Sequence, residues 1–249
     1  MKYDAIQAEK DWRAKPASRG PRKTAKQKHA FPHMLVHREL GNVLLNTGCN
    51  AASSVLCIGC GPGSDMDYVC PVSANITGID VSPKAVLSFN RRGCNGIIAD
   101  AKTLPFMNES FDYVICPAVL HHLIGQGDLM DYTDECVRVI RPRGYLIALE
   151  PNVFSLSGMT MNVANSLKPG LTGLVPHERA LSPFSLMKYY RRSGLLDVRC
   201  CAASYTWNRF PLWVSKLISR YEGRVRHMKP FCYLGWFMIV AGRKPLRSS

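Results

Sequence analysis

The chain has 249 residues, of which 47% are hydrophobic, and it carries a formal net charge of +14. A chain of this length can bury one sizeable core, so we predict a single domain whose ten scattered cysteines stay reduced. The longest uncharged apolar stretch, Phe231 to Gly242, is too short to cross a bilayer, and residues 1–15 lack the apolar segment of a signal peptide. We therefore expect a cytoplasmic protein.

The basic residues are concentrated at the two ends of the chain. Residues 1–30 contain nine Lys and Arg against three acids, and residues 188–249 contain thirteen against two, whereas residues 31–187 are slightly acidic. Basic ends of this kind favour an anionic membrane surface, with peripheral attachment, or nucleic acid as a partner, although they also suit a merely solubilising surface. No obligate protein partner is indicated. Residues 1–30 mix Pro, Gly and basic residues, which predicts a flexible arm.

The periodic pattern begins after this arm. Leu35, Leu40, Val43 and Leu44 share one helical face, and Gly48 is suited to end that helix. Five short apolar strands follow, separated by helical segments: SVLCIGC, ITGIDVS, GIIAD, FDYVICPA and GYLIALE. Strands that alternate with helices predict βαβ units and a mainly parallel sheet with helices on both faces.

The regular alternation ends after Glu150. Residues 151–181 are rich in Met, Asn, Pro and Gly and are predicted to form an inserted lid over the site. A helix is then predicted from Pro183, with Ser182 as its N-cap and Gly194 at its end. Two late strands joined by a helix predict an antiparallel edge. The fold class is therefore α/β, a Rossmann-like, doubly wound, three-layer αβα domain over residues 31–249.

The first strand leads into a glycine turn, G-x-G-x-G, formed by Gly59, Gly61 and Gly63. Such a turn lets the backbone approach a ligand closely. The dinucleotide fingerprint requires a glycine where this chain has Ser64, which disfavours a nicotinamide-dependent oxidoreductase. Asp80 ends the second strand and can accept the two hydroxyls of a ribose; the alternative is that it caps the next helix, a role that Ser82 can take instead.

Four stretches in this order and spacing resemble the class I S-adenosylmethionine-dependent methyltransferases, and among them the quinone-type C-methyltransferases: VLCIGCGPG, ITGIDVSPKAV, ADAKTLPFMNESFDYVICPAVLHHL and RVIRPRGYLIALEPN. The resemblance implies S-adenosylmethionine as cofactor and a small or lipid-like methyl acceptor. The alternatives are a nucleic-acid (RNA) methyltransferase, which the basic ends support, and an inactive cofactor-binding or scaffold module.

The resemblance also implies the cofactor contacts. Gly59, Cys60, Gly61 and Gly63 would line its methionine part. Asp80, with Val81 beside it, would hold the ribose. Asp100 and Ala101 would meet the adenine, and the carbonyl of Cys116 would lie near the methionine ammonium. Asp112 lies at the start of its strand, away from the ligand-binding ends, and is predicted to be structural.

One position departs from the family pattern. Cys57 stands where relatives usually carry an acid that holds the cofactor ammonium, and a neutral thiol is a weak acceptor. Strand alternation predicts that its side chain points toward the methionine end of the cofactor, so that Cys57→Asp would leave the fold intact and tighten binding. Cys57 and Cys60 have the spacing of half a zinc site, but no second pair follows, and no metal is predicted.

Three histidines are candidates for a catalytic base. His121 and His122 follow the fourth strand, where packing or hydrogen bonding is the competing interpretation. His177, with Glu178 beside it, lies in the predicted lid and could contact the substrate or be satisfied by backbone groups.

Overall fold

The computed structural model describes residues 23–124, 127–167 and 178–246, with side chains from residue 30 onward. Its centre is a seven-stranded sheet. The strands are β1 (Ser54–Ile58), β2 (Asn75–Asp80), β3 (Asn95–Ile98), β4 (Phe111–Pro117), β5 (Ile140–Pro151), β6 (Leu196–Ser204) and β7 (Phe237–Arg243). The helices are α1 (Lys23–Asn46), α2 (Met66–Val69), α3 (Pro83–Asn90), α4 (Leu120–Leu123), α5 (Leu129–Val139), α6 (Leu156–Leu167), α7 (Pro183–Arg192) and α8 (Leu212–Val225), with a 3-10 turn at Phe231–Tyr233.

The strand order is β3-β2-β1-β4-β5-β7-β6. β1 to β5 run parallel, and β7 lies antiparallel between β5 and β6, so the predicted mixed sheet is confirmed with β6 as the edge strand. The order reverses between β1 and β4, which is the point where a doubly wound sheet opens a crevice at its carboxyl ends. Any ligand site is therefore expected beside the glycine turn.

Side chains alternate across the two faces of the sheet, as the three-layer prediction requires. Val55 and Cys57 lie in one buried apolar cluster, and Leu56 and Ile58 lie in the other. One cluster includes α1 and α3, and the other includes α5 and α7. Two covered faces explain why the central strands are apolar throughout instead of alternating with polar residues.

The first helix begins earlier than predicted. It starts at Lys23, so residues 23–29 of the predicted flexible arm are helical, and the remainder of the arm lies outside the described residues. Lys, Ala and Gln are good helix formers, and the packed segment that follows extends the helix toward them. Leu35, Leu40, Val43 and Leu44 are buried as predicted. Gly48 adopts a positive φ of 90° after the last turn and ends the helix.

A polar cluster lies at the end of the sheet opposite to the crevice. Asp112 accepts hydrogen bonds from the backbone N and the hydroxyl of Ser54, both at 2.8 Å, and from Arg141 at 3.0 Å. These contacts join the starts of β1, β4 and β5. The structural role predicted for Asp112 is confirmed.

The region predicted as a lid contains α6. Its base is closed by a short parallel bridge in which Val153 donates to the Leu181 carbonyl and Leu181 donates to the Pro151 carbonyl, both at 2.9 Å. Residues 168–177, including His177, lie outside the described residues, and the lid function itself stays a prediction. α7 begins at Pro183 with Ser182 at the N-cap position, as expected, but the Ser182 side chain makes no capping hydrogen bond. Among the helices described here, none has the length and apolar content that a membrane span requires.

Candidate active site

The glycine turn after β1 has a backbone that other residues rarely adopt. Gly59, Gly61 and Gly63 have φ angles of 63°, 51° and 77°. A Cβ on Gly59 would lie 2.3 Å from Cγ2 of Val119, which belongs to the segment after β4. Glycine is therefore required both by the turn and by the close approach of the two crevice walls.

Asp80 lies directly beneath this turn. Its Oδ2 accepts a hydrogen bond from the backbone N of Gly61 at 2.9 Å, and its Oδ1 accepts one from the backbone N of Ser82, also at 2.9 Å. Ser82 is the residue that caps α3, through its hydroxyl and the N–H of Ala85. Asp80 is thus not the helix cap. Each of its oxygens holds one N–H and keeps acceptor capacity for a ligand hydroxyl.

The end of β3 lies beside Asp80. The N–H of Ala99 donates to the Asp80 carbonyl at 3.2 Å, which brings Asp100 to the same edge of the sheet. The Asp100 side chain is half-buried, and its Oδ1 accepts from the N–H of Lys102 at 2.9 Å. Ala101 is buried in the core and Val81 is half-buried. The structure brings these predicted residues together; their contacts with adenine and ribose stay predictions.

The three predicted cysteines are buried inside the core. Cys60 is 2% exposed, and its Cβ lies over Gly78, where an added Cβ would meet it at 2.8 Å. Its backbone is therefore the part available to a ligand, and the predicted contact of Cys60 with the methionine part of the cofactor stays a prediction. Hydrogen bonding to Cys136, followed by burial, raises the pKa of Cys116 well above its usual range. The contact predicted for the Cys116 carbonyl stays a prediction.

Cys57 has no solvent-exposed surface. Burial raises the pKa of its thiol well above the usual range, and the nearby Cys60 and Asp65 act in the same direction. No cation contributes to this shift, so the thiol is neutral. A carboxylate introduced here would be buried beside two acids, Asp65 and Asp80, rather than stabilised by a partner.

The burial of Cys57 argues against the expectation that Cys57→Asp leaves the fold intact, and the tighter cofactor binding expected of this variant stays a prediction. We now expect this substitution to lower the free energy of unfolding by at least about 2 kcal/mol, because the new carboxylate is desolvated without a counter-charge. Denaturant unfolding of the ligand-free protein at pH 7.5 measures the effect. Cys57→Ala is the matched control and should cost only about 1 kcal/mol for the small cavity. Equal stability of the two variants would contradict the argument.

A second polar cluster lies at the carboxyl ends of β4 and β5. Glu150, fully buried on β5, accepts hydrogen bonds from the backbone N of Val119 at 3.0 Å, Leu120 at 2.8 Å and His121 at 3.3 Å. The same carboxylate contacts Nδ1 of His121 at 2.7 Å. Glu150 therefore closes the start of α4 and orients the histidine. It was absent from the predicted site, although an acid at the carboxyl end of a parallel strand is a usable signal.

His121 lies between two carboxylates. Its Nε2 is 3.4 Å from Oε1 of Glu178, and His122 Nδ1 is 3.8 Å from Oε2 of the same residue. Burial alone would lower the pKa of His121, but the charges and hydrogen bonds of Glu150 and Glu178 outweigh it and raise the pKa to about 9. The raised pKa favours the protonated form of His121 at neutral pH, which argues against it as a base there; its catalytic role stays a prediction. The base role of His122 stays a prediction.

The cluster also has donor types that metals use. Ligand atoms of His121, His122 and Glu178 lie within 4.8 Å of one another. Nε2 of His121 and Oε1 of Glu178 already face each other at 3.4 Å, so a metal would have to replace this contact. The expectation of no metal stays a prediction that metal analysis of the purified protein can check.

The residues at the crevice fit S-adenosylmethionine. The turn presents backbone rather than side chains, Asp80 is a buried acceptor where the ribose is predicted, and Asp100 lies at the neighbouring strand end. Residues 56–148 match the family model described as a methyltransferase domain. This match, together with the relatives described next, supports a class I S-adenosylmethionine-dependent methyltransferase, a class of enzymes with that cofactor.

The relatives differ in what they act on. A probable S-adenosylmethionine-dependent methyltransferase of Mycobacterium tuberculosis is 29% identical over 60% of this chain and 51% of its own length. A phthiotriol/phenolphthiotriol dimycocerosates methyltransferase of Mycobacterium leprae is 32% identical over 45% of this chain and 41% of its own. A tRNA (carboxymethyluridine(34)-5-O)-methyltransferase of Arabidopsis thaliana is 32% identical over 39% of this chain and 24% of its own. The chain thus spans a quarter to about half of these relatives.

A solved structure shows the same fold. The S-adenosylmethionine-dependent methyltransferase of Thermotoga maritima, described as a possible histamine N-methyltransferase, aligns with a TM-score of 0.60 at 18% identity, over 85% of this chain and 92% of that one.

Proposed function

We propose that this protein transfers a methyl group from S-adenosylmethionine to a small, lipid-like acceptor. The observation that carries the proposal is the buried Asp80 carboxylate, which holds the glycine turn from below and keeps acceptor capacity toward the crevice. An acid in this position can accept two ribose hydroxyls at once. Asp100, one strand further along the same edge, is suited to accept from the adenine amino group.

The bound cofactor supplies a methyl group on a sulfonium. The chain itself has to hold the acceptor in line with that group and to exclude water, so it needs few catalytic side chains. The fully buried Glu150 carboxylate lies at the carboxyl end of β5, and its hydrogen bonds hold the start of α4 at the ligand-binding end of the sheet.

Helix α6 supports a lipid-like acceptor. It has no charged residue, and Leu156, Met159, Val163 and Leu167 form one exposed apolar row along it. The helix is tied to the acidic cluster because Asn165 donates to the Glu178 carbonyl at 2.7 Å. An apolar surface beside the crevice is suited to contact an alkyl or isoprenoid chain. The relative from Mycobacterium leprae, whose name gives a dimycocerosate substrate, agrees with this choice.

Transfer to tRNA is the second candidate. It is supported by the relative from Arabidopsis thaliana and by the basic ends of the chain. Binding of a polyanion such as tRNA relies mainly on basic residues and does not require the apolar row on α6, so we place the lipid-like acceptor first.

The acceptor class can be tested with methyl-labelled S-adenosylmethionine, offered separately with a total lipid extract and with bulk tRNA. We expect label in the lipid fraction. Met159→Lys should reduce that label at least tenfold without changing the cofactor Kd, because a charge is placed on the apolar row. The matched control is Met107→Lys, since Met107 is also exposed but precedes β4 at the opposite edge of the sheet. Label in tRNA alone would favour the second candidate.

A further inference from the structure

Helix α8 buries two polar residues and exposes large apolar ones. Its buried residues are Ser215 and Glu222. Its outer face exposes Trp213 by 71%, Leu217 by 48% and Tyr221 by 53%. These three residues follow one another at intervals of four and form a continuous apolar row. Folding leaves this row in water, which indicates that something else covers it.

The orientation of α8 is held by a buried ionic network. Glu222 accepts from the Ser204 hydroxyl at 3.0 Å and from the Tyr205 N–H at 3.2 Å. It also pairs with Arg226 at 3.0 Å, and Arg226 in turn pairs with Glu39 of α1. Rotating the helix to bury Trp213 would expose or break these charge pairs at a large cost. The apolar row is therefore presented to the outside by the fold itself.

A basic row runs directly beside the apolar one. Lys216, Arg220 and Arg224 are exposed, and each lies three residues after a member of the apolar row. The guanidinium of Arg224 lies 5.5 Å from the centre of the Tyr221 ring. The one acidic residue of α8 is the buried Glu222, so the outer face is purely apolar and cationic.

The surface continues toward the crevice. Tyr205 and Phe231 line an apolar hollow together with Leu217 and Tyr221. β6 ends at Ser204 and β7 begins at Phe237, which pairs with Pro151 at the end of β5. The segment between β6 and β7, which contains α8, therefore starts and ends at the end of the sheet where the parallel strands have their carboxyl ends.

We infer that the outer face of α8 docks on an anionic lipid surface. The apolar row would enter the region between head groups and acyl chains, while Lys216, Arg220 and Arg224 would reach the phosphates beside it. Aromatic side chains could also stack on nucleic-acid bases, but Leu217 in the middle of the row has no role in such stacking, whereas it fits a bilayer. The inference does not depend on the proposed methyl transfer, because it concerns only attachment.

The experiment is co-sedimentation of the full chain with vesicles of phosphatidylcholine and phosphatidylglycerol (7:3) and with vesicles of phosphatidylcholine alone. We expect binding to the anionic vesicles that is at least tenfold stronger. The double variant Trp213→Ser and Leu217→Ser should bind the anionic vesicles at least tenfold more weakly. The double variant Lys216→Glu and Arg220→Glu should lose as much binding, and the binding that remains should depend less on salt. Circular dichroism should show all variants folded, since the substituted side chains are exposed.

Helix α3 provides matched controls, because it exposes Leu87 and Lys84 and is followed by the exposed Arg91. Leu87→Ser, and Lys84→Glu with Arg91→Glu, should leave vesicle binding unchanged. Three outcomes would overturn the inference. The Trp213 and Leu217 substitutions could leave vesicle binding unchanged, or the α3 control substitutions could weaken vesicle binding equally. The native protein could also fail to bind vesicles and instead form a dimer or an RNA complex that depends on Trp213 and Leu217. If the native protein binds vesicles but transfers no methyl group, that result would count only against the proposed function.

Discussion

Replacing Asp80 with Ala should weaken S-adenosylmethionine binding by about 1 to 3 kcal/mol, which is roughly fivefold to 150-fold in Kd. Two effects act in the same direction. The ribose hydroxyls lose a charged acceptor, and the N–H groups of Gly61 and Ser82 lose the carboxylate that holds them. The glycine turn is therefore expected to loosen as well. Calorimetric titration of the cofactor measures the change.

Two further variants separate the loss of contact from a general loss of stability. Asp80→Asn keeps the shape and one oxygen acceptor, so it should retain part of the affinity. Asp112→Asn removes a charge from the opposite edge of the sheet, where the carboxylate ties Ser54 to Arg141, so it should lower stability and leave the cofactor Kd unchanged. If Asp80→Ala binds the cofactor as tightly as the native protein, Asp80 does not contact it.

Glu150→Gln should be among the most destabilising single substitutions in the described part of the chain. The carboxylate is fully buried, receives three backbone N–H groups and pairs with the His121 cation. The amide side chain of the variant would leave Glu178 as the remaining carboxylate partner of the His121 cation. Its NH₂ group would also point toward groups that are themselves hydrogen-bond donors. Removing one partner of a buried pair typically costs about 3 to 5 kcal/mol. Denaturant unfolding at pH 6.5 measures this cost.

The pH dependence of the stability lost in Glu150→Gln distinguishes the ion pair from simple packing. The folded-state pKa of His121, about 9, lies above the ordinary value of 6.5. The stabilisation from its protonation is thus fully present below pH 6.5 and is lost as the pH rises through 9. A shift of this size is linked to about 3 kcal/mol of unfolding free energy. The difference in stability between native protein and Glu150→Gln should therefore shrink between pH 6.5 and pH 9.5.

Glu135→Gln is the matched control for this pH series. Glu135 accepts from the Leu104 N–H at 2.7 Å and from Arg138 at 2.7 Å, so it resembles Glu150 in its contacts. Its partner is an arginine, which stays charged across the whole range. The cost of Glu135→Gln should thus be nearly constant between pH 6.5 and pH 9.5. A cost of Glu150→Gln that is equally constant would show that His121 is not the titrating partner.

The sequence by itself determined the local elements and the cofactor crevice. The spacing of apolar residues predicted the five parallel strands, and the glycines and Asp80 marked the turn, because these features depend on residues close together in the chain. Positive φ at Gly59 and the cap at Ser82 are properties of a few consecutive residues. The parts of the site built from such short stretches were therefore predictable.

Only the tertiary structure decided which side chains meet. Cys57 lies on β1 and Cys60 lies in the glycine turn, yet both thiols lie in the core. Strand packing sets the direction of Cys57, and the absence of a side chain at Gly78 leaves room for Cys60. His121 became a cation because Glu150 and Glu178, from β5 and the segment before α7, approach it from both sides. The outward apolar row of α8 follows from the Glu222–Arg226–Glu39 network. Each of these outcomes depends on groups far apart in the chain, whose distances and burial no local pattern encodes.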